Sequence, residues 1–126
     1  MHLITDWIAR ELESYPPLTC GICHLFLLHT SASLAINENA DPEVRVDLES
    51  HFDLLAPENA PHYTHNYEGP DDMPAHIKTM LIGPSLTIPI TDGQLKLGMW
   101  QGIYLCEHRS HAGPRQIVMT AWGAVG

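Results

Sequence analysis

The chain is poor in basic residues. Six lysines and arginines stand against fifteen aspartates and glutamates in 126 residues, which gives a formal net charge of −9. Non-specific binding to nucleic acids depends on many lysines and arginines that contact phosphates. The scarcity of such residues therefore argues against a nucleic-acid-binding protein.

Long apolar runs are also absent. No stretch approaches the roughly 18 apolar residues that a membrane-spanning helix needs. The first residues, Met1 to Asp6, contain neither the basic start nor the apolar core of a secretory signal peptide. We therefore expect a cytoplasmic protein that does not contact a membrane.

Cysteine is scarce, with only Cys20, Cys23 and Cys106 in the chain. An odd number of cysteines without a signal peptide argues against a disulfide framework. Cys20 and Cys23 form a C-x-x-C motif, which raises a redox or zinc-binding alternative. The motif lies in an apolar, strand-like run with no second pair and no helix start directly after it, so buried structural cysteines are the favoured interpretation.

What the sequence does contain fits one α+β domain over residues 1–126. The hydrophobic fraction of 44% is that of an ordinary globular protein. Apolar periodicity predicts about three helices: residues 5–15, a second that Asp41 caps and Pro57 ends, and a third that Asp72 caps and Gly83 closes. Strands are predicted at 19–29, 31–37, 85–90, 94–100, 100–108 and 116–122, with a hairpin turn at Asp92-Gly93. We expect a mixed, mostly antiparallel sheet arrangement, in which the apolar strand 19–29 is central and covered on both faces.

Nine histidines are the main oddity of the composition. Three imidazoles and a water form a common open arrangement around a catalytic metal ion. His29 ends the buried strand, His65 lies in a long polar loop, and His76 lies early in the third helix, so these three can meet if that helix crosses the strand end. His62 is the reserve ligand. The alternative, that each is simply hydrogen-bonded, stays open at this point.

Other polar residues suggest substrate contacts or acid–base chemistry. Among the carboxylates Glu38, Glu68, Asp71 and Asp72, one of the adjacent aspartates is explained by capping, and Glu68 or Asp71 is a candidate general base or partner of a ligating histidine. A solvated acidic loop is the competing explanation. The remaining candidates are Ser31 and Ser33, which can share a face with His29, and three basic residues that suit phosphate or ordinary salt bridges equally well: Lys78, Arg109 and Arg115.

Three stretches, HTSASLAINENADPEVRVD, YTHNYEGPDDMPAHIK and SLTIPITDGQLKLGMWQGIYLCEHR, closely resemble the corresponding stretches of the YjbQ family. Members of this widespread family are small proteins that are often named secondary thiamine-phosphate synthases. The resemblance covers nearly the whole chain and implies a compact α+β fold assembled as a homotrimer or a multiple of it. It also implies a divalent metal such as zinc, held by histidines that correspond here to His29, His65 and His76. The same blocks contribute further candidate substrate contacts: Asn37, Glu38, Trp100 and Gln101.

The chain departs from the family pattern in two places. Met99 stands where relatives have threonine, and family members usually carry a further N-terminal strand, whose loss would leave a sheet edge unpaired. The resemblance implies transferase chemistry, in which a hydroxymethylpyrimidine pyrophosphate and a thiazole phosphate form thiamine phosphate and pyrophosphate. Another metal-dependent reaction on a small phosphorylated metabolite is an equal possibility. A non-catalytic trimeric protein that binds a metal or metabolite is the alternative class.

Overall fold

A computed structural model describes all residues from Met1 to Gly126. The three helices are α1 (Thr5–Leu12), α2 (Pro42–Leu55) and α3 (Asp72–Ile82). The seven strands are β1 (His2–Leu3), β2 (Leu18–Leu27), β3 (Ala32–Glu38), β4 (Ser85–Thr91), β5 (Gln94–Leu95), β6 (Gln101–Glu107) and β7 (Ile117–Val125). Every strand pair is antiparallel, which confirms the predicted α+β class with three helices.

The strands form two sheets around one core. The first has the order β1-β6-β3, and the second has the order β5-β4-β2-β7. Alternating side chains of β2, β3, β4 and β6 are fully buried between the elements, among them Leu25, Leu34, Ile88 and Ile103. Burial of such side chains contributes most of the favourable free energy of folding.

The apolar strand β2 is central, as predicted, since β4 and β7 flank it. The prediction that both of its faces are covered is wrong for this chain. Cys23, Leu25 and Leu27 are buried, whereas Phe26 on the opposite face remains 42% exposed. Because neighbouring residues of a strand point to opposite faces, β2 leaves an apolar outer face without a covering layer in the single chain.

The local signals for helix and turn ends are largely confirmed. The Asp41 side chain accepts a hydrogen bond from the backbone N–H of Glu43 at 2.9 Å, and Pro42 occupies the first helical position of α2. Gly83 ends α3 with φ of 102°. Asp92 and Gly93 have φ of 50° and 78°, as a tight hairpin with a right-handed strand twist requires.

Three predictions about the elements need correction. Asp71 is the N-cap residue of α3, and its side chain makes no capping bond, so Asp72 is not a cap. Only Gln94 and Leu95 of the predicted strand 94–100 pair with β4. The short strand β1 pairs with β6 and was not predicted, since two residues carry no periodicity.

The three cysteines are free, and Cys23 and Cys106 are buried. Cys20 is exposed, so the prediction of buried cysteines in the C-x-x-C motif is confirmed for Cys23 and wrong for Cys20. Burial raises the pKa of Cys106 to about 11, so its thiol is inert near neutral pH. None of the three helices has the length and apolar character needed to cross a membrane.

Candidate metal centre

The first turns of α3 and the loop before it bring four potential metal ligands together. Asp72 and His76 are four residues apart on the helix and therefore share one face. The preceding loop adds His65 and Glu68. One donor atom from each of the four side chains lies within 4.8 Å of all the others. We name this group the α3 cluster.

Asp72 is the centre of the α3 cluster. Its Oδ2 lies 2.6 Å from Nε2 of His65 and 3.2 Å from Nε2 of His76. Glu68 Oε2 lies 3.5 Å from His65 Nε2. The Asp72 side chain is only 2% exposed, whereas the Glu68 side chain is 50% exposed. The cluster is thus closed around Asp72 and open to solvent beside Glu68.

The ring orientation of His76 is set by a backbone carbonyl. His76 Nδ1 lies 2.9 Å from the carbonyl oxygen of Thr30, which can only accept, so Nδ1 carries a proton and donates it. In the neutral ring, Nε2 then presents a lone pair to the Asp72 carboxylate at 3.2 Å. Two acceptors at this distance repel unless a cation lies between them, either as a proton on the ring or as a metal ion.

The chemistry of the donor set fits a transition metal. Metal-ligating histidines usually donate their second N–H to a carbonyl or carboxylate, as His76 does to Thr30. Two imidazoles and one or two carboxylates suit zinc and comparable divalent ions better than magnesium or calcium, which prefer oxygen ligands. The side chains of the α3 cluster therefore fit the expected divalent metal.

Arg109, from the loop after β6, holds the carboxylates of the cluster in place. Its Nε donates to Asp71 Oδ2 at 2.9 Å, its Nη1 to Asp72 Oδ1 at 2.8 Å, and its Nη2 to the carbonyl oxygen of Glu68 at 2.9 Å. The backbone N–H of Ser110 also donates to Asp71 Oδ2, at 2.8 Å. One guanidinium group thus connects the polar loop, the start of α3 and the loop after β6.

These contacts keep both aspartates ionised. The hydrogen bond from the Ser110 backbone N–H and the one from Arg109 Nε lower the pKa of Asp71. Burial acts to raise the pKa of Asp72, but its interactions with the neighbouring Glu68, His65, His76 and Arg109 side chains outweigh burial, so the pKa is lowered. An ionised Asp72 is the form in which a carboxylate binds a metal ion.

Of the three predicted histidine ligands, the structure brings two into the cluster. His65 and His76 have ring centroids 5.4 Å apart. His29 lies outside the cluster in this chain, because its Nε2 accepts a hydrogen bond from the backbone N–H of Gln116 at 2.8 Å. His29 does share a surface groove with His76. His62, the reserve ligand, packs edge to face on Tyr63 and is not part of the cluster.

The basic residues proposed for phosphate are engaged with carboxylates. Arg115 donates to both oxygens of Glu107 and also to Ser31 Oγ, at 3.0 Å. Lys78 lies 2.6 Å from Asp53. Each of these contacts is the salt-bridge alternative that the sequence left open.

Ser33 and the far end of the β3–β6 pair also lie apart from the α3 cluster. Ser33 is fully buried, and its Oγ lies 2.8 Å from His108 Nε2. Ala32 pairs with Glu107 near the cluster, whereas Glu38 pairs with Gln101 six residues along β3, a rise of roughly 20 Å. Within one chain, Glu38, Trp100 and Gln101 at this end therefore do not reach the cluster. Asn37 lines a cavity that also contains Asp71, Lys78 and Arg109.

The role of Asp72 in the cluster was not predicted, because helix capping already explained an aspartate at this position. The available signal was the spacing of Asp72 and His76, which places a carboxylate and an imidazole on one helical face. No local signal pointed to His108, since its contact with Ser33 joins residues 75 apart. Burial lowers the pKa of His108 to about 4, with a further contribution from the charge of Lys78.

The fold and the cluster define a small α+β protein of two antiparallel sheets with a histidine–carboxylate centre at the start of its third helix. Residues 1–124 match the model of the family described as UPF0047 protein YjbQ-like, and the chain belongs to that family. The chain is 57% identical over 122 residues to the UPF0047 protein YjbQ of Salmonella typhimurium, covering 97% of this chain and 88% of that protein.

Solved structures show the same fold. An uncharacterised conserved protein of the YjbQ/UPF0047 family from Clostridium acetobutylicum is 36% identical, with a TM-score of 0.79 over 96% of this chain and 88% of that one. A hypothetical protein from Aeropyrum pernix K1 is 28% identical, with a TM-score of 0.84 over 97% and 87% of the respective chains.

Proposed function

We propose that the protein is a metal-dependent enzyme that acts on a small phosphorylated metabolite, with zinc as its metal. His65, Asp72 and His76 would hold the ion, and Glu68 lies at the open side of the cluster. A bound ion would supply positive charge to phosphate oxygens. The observation that carries the proposal is the convergence of four donor atoms within 4.8 Å on a buried, ionised Asp72.

As the reaction we propose transfer of the thiamine-phosphate synthase type, with release of pyrophosphate from a hydroxymethylpyrimidine pyrophosphate. The support is the family resemblance together with a site able to neutralise a phosphorylated leaving group. Glu68 is the proposed general base, because its carboxylate is half exposed at the cluster. Asp71 would act through its contact with Arg109, and Ser31 through its contact with Arg115.

A non-catalytic metal- or metabolite-binding protein is the second candidate. The observation that favours this candidate is that the basic side chains already have carboxylate partners. Lys78, Arg109 and Arg115 each contact a carboxylate, so none of them faces a substrate phosphate unpaired. Such a protein would bind the metal without converting the two thiamine precursors.

We also propose that the protein forms a homotrimer, as the family resemblance implies. The support is the uncovered outer face of the second sheet, where Val118 and Trp122 of β7 are 46% and 53% exposed. Exposed apolar patches of this kind are typical of protein–protein interfaces.

The metal site is tested by zinc titration of protein purified without a histidine tag and stripped of metal. We expect about one zinc per chain and a loss of affinity of at least roughly 100-fold in His76→Ala. His51→Ala is the matched control, since His51 is exposed on α2 and lies outside the cluster. A wild-type protein that binds no more than a trace of zinc would disprove the metal site.

Catalysis is tested separately, by thiamine-phosphate formation from the two precursors and by rescue of a strain that lacks its main thiamine-phosphate synthase. We expect rescue by the wild type and none by His65→Ala. We also expect Glu68→Gln to lower the rate by roughly 10²-fold or more, as loss of a general base does. Normal zinc binding without product formation or rescue would favour the non-catalytic alternative.

A further inference from the structure

Two cavities flank α3, and they lie on different faces of the helix. The larger, of about 740 Å³, is lined by α3 residues that include Pro74, Lys78 and Ile82. The smaller is a groove of about 540 Å³ between α3 and the end of β2, to which α3 contributes His76, Thr79 and Met80. Both volumes are in the range of small-molecule sites.

Only the groove touches the α3 cluster. None of the four cluster residues lines the larger cavity, whereas His76 lines the groove. The larger cavity approaches the cluster through Asp71 and Arg109, but these two side chains bond to each other. A ligand whose phosphate lies at the α3 cluster can therefore extend into the groove past His76.

The lining of the groove is apolar and uncharged. The chain contains 21 charged residues, 6 basic and 15 acidic, yet none of the ten lining residues is charged. Leu28 and Met80, which both line the groove, are 51% and 87% exposed. Few polar side chains line the groove, so a sugar or nucleotide body would lose more hydration there than it regains in hydrogen bonds, whereas an apolar body would not.

His29 gives the groove one directional polar group. Its Nε2 accepts the backbone N–H of Gln116, so in the neutral ring the proton is on Nδ1. Nδ1 has no hydrogen-bond partner within the chain, which leaves its N–H able to donate to a ligand.

We infer that the groove binds the body of a phosphorylated substrate, and that this body is an uncharged ring or short hydrocarbon with one hydrogen-bond acceptor for His29. The inference rests on the proposed function, because the phosphate is assigned to a metal ion in the α3 cluster. It adds the substrate class, which excludes sugar phosphates and nucleotides.

The experiment is a calorimetric comparison of three probes on the zinc-loaded protein: inorganic phosphate, phenyl phosphate and glycerol 3-phosphate. Burial of the phenyl ring should make phenyl phosphate bind at least roughly tenfold more tightly than inorganic phosphate. Glycerol 3-phosphate should gain no such advantage, because its body is polar.

Substitutions of groove residues test whether the preference for phenyl phosphate arises in the groove. Leu28→Ser and Met80→Ser should remove most of the preference for phenyl phosphate while leaving the binding of zinc and inorganic phosphate unchanged. Leu54→Ser is the matched control, since Leu54 is 75% exposed on α2 and lines neither cavity. It should keep the full preference for phenyl phosphate.

Failure of the inference is distinguishable from failure of the proposed function. Normal zinc and phosphate binding with equal affinities for all three probes would overturn the inference alone. A protein that binds neither zinc nor phosphate would overturn both. If Leu28→Ser changes the oligomeric state and the wild type shows no preference for phenyl phosphate, a second copy covers the groove and the inference is wrong.

Discussion

At the scale of single residues, the α3 cluster depends on charges that are removed from solvent. Asp72 is almost completely buried, and its two oxygens face Arg109 on one side and two histidines on the other. Removing one partner of a buried pair is costly, because the remaining charge loses both water and its partner. Arg109 is therefore a positioning residue for the cluster, and its side chain is not available as a free phosphate ligand.

We predict that Arg109→Ala lowers the free energy of unfolding of the metal-free protein by about 2–4 kcal/mol. Lys78→Ala is the control, because its partner Asp53 has a 71% exposed side chain. Pairs with an exposed partner contribute about 1 kcal/mol or less. Urea unfolding measures both variants, and equal losses for the two would contradict the role assigned to Arg109.

The buried imidazole of His108 gives a second prediction, on pH. Burial lowers its pKa from the ordinary 6.5 to about 4, so between these values the unfolded chain binds a proton that the folded chain does not. Stability should therefore fall as the pH drops from 6.5 towards 4. Between pH 7 and pH 5 we expect the wild type to lose about 1–2 kcal/mol more than His108→Gln does.

Urea unfolding at both pH values checks this difference. His51→Gln provides the control, since His51 is exposed on α2. That control should follow the wild type at both pH values. If His108→Gln loses as much stability as the wild type, His108 is not the group responsible.

Some residues of the site were predictable from the sequence, and others were not. His65 and His76 were predicted because a polar loop and the helix after it are close in sequence. The hydrogen bond from Gln116 to His29 was not predictable, since it joins residues that are 87 positions apart in the sequence. Asp72 was wrongly predicted to be a helix cap, because its position before the third helix suggested one. Its partner Arg109 lies 37 residues away in the sequence, so no local pattern indicated their contact.

At the scale of elements, boundaries that depend on local chemistry were predicted well. Asp41 and Pro42 start α2, Gly83 ends α3, and Asp92-Gly93 makes the turn between β4 and β5. The pairing of β2 with both β4 and β7 was not predictable, because strand partners come from distant parts of the chain. The uncovered face of β2 escaped prediction for the same reason, since composition does not show which face another layer covers.

The close approach of β2 and β7 gives a prediction about an element. Gly21 pairs with Gly123, and a Cβ at Gly21 would lie 2.4 Å from the carbonyl oxygen of Trp122. Because that oxygen belongs to backbone, the strands must move apart to accept a side chain. We expect Gly21→Ala to lower the free energy of unfolding by about 1–3 kcal/mol.

Chemical denaturation measures this loss. Gly113→Ala is the matched control, because a Cβ at Gly113 meets no heavy atom within 4 Å. It should change the free energy of unfolding by less than about 0.5 kcal/mol. Equal stability of the two variants would show that the approach of β2 and β7 is not tight at Gly21.

At the scale of the whole molecule, the uncovered face of the second sheet determines the expected assembly. Val118 and Trp122 of β7 lie on that face, and Trp122 is opposite Ile22 of β2. We predict that sedimentation equilibrium gives three times the 14.0 kDa mass of the chain. Trp122→Glu should shift the protein towards monomer, because a charge in the interface would lose its hydration.

Trp7→Glu is the control for the assembly. Trp7 is 70% exposed on α1, whereas the proposed interface lies on β2 and β7, so its replacement should leave the mass unchanged. A wild-type protein that sediments as a monomer at micromolar concentration would contradict the trimer.

The central claim, a divalent metal ion in the α3 cluster, is tested most directly by anomalous diffraction at the zinc absorption edge. The crystals would be grown from metal-free protein supplied with one equivalent of zinc. We predict an anomalous peak roughly 2.0–2.2 Å from the donor atoms of His65, Asp72 and His76. Absence of a peak at these side chains, or a peak bound through His29 without them, would contradict the claim.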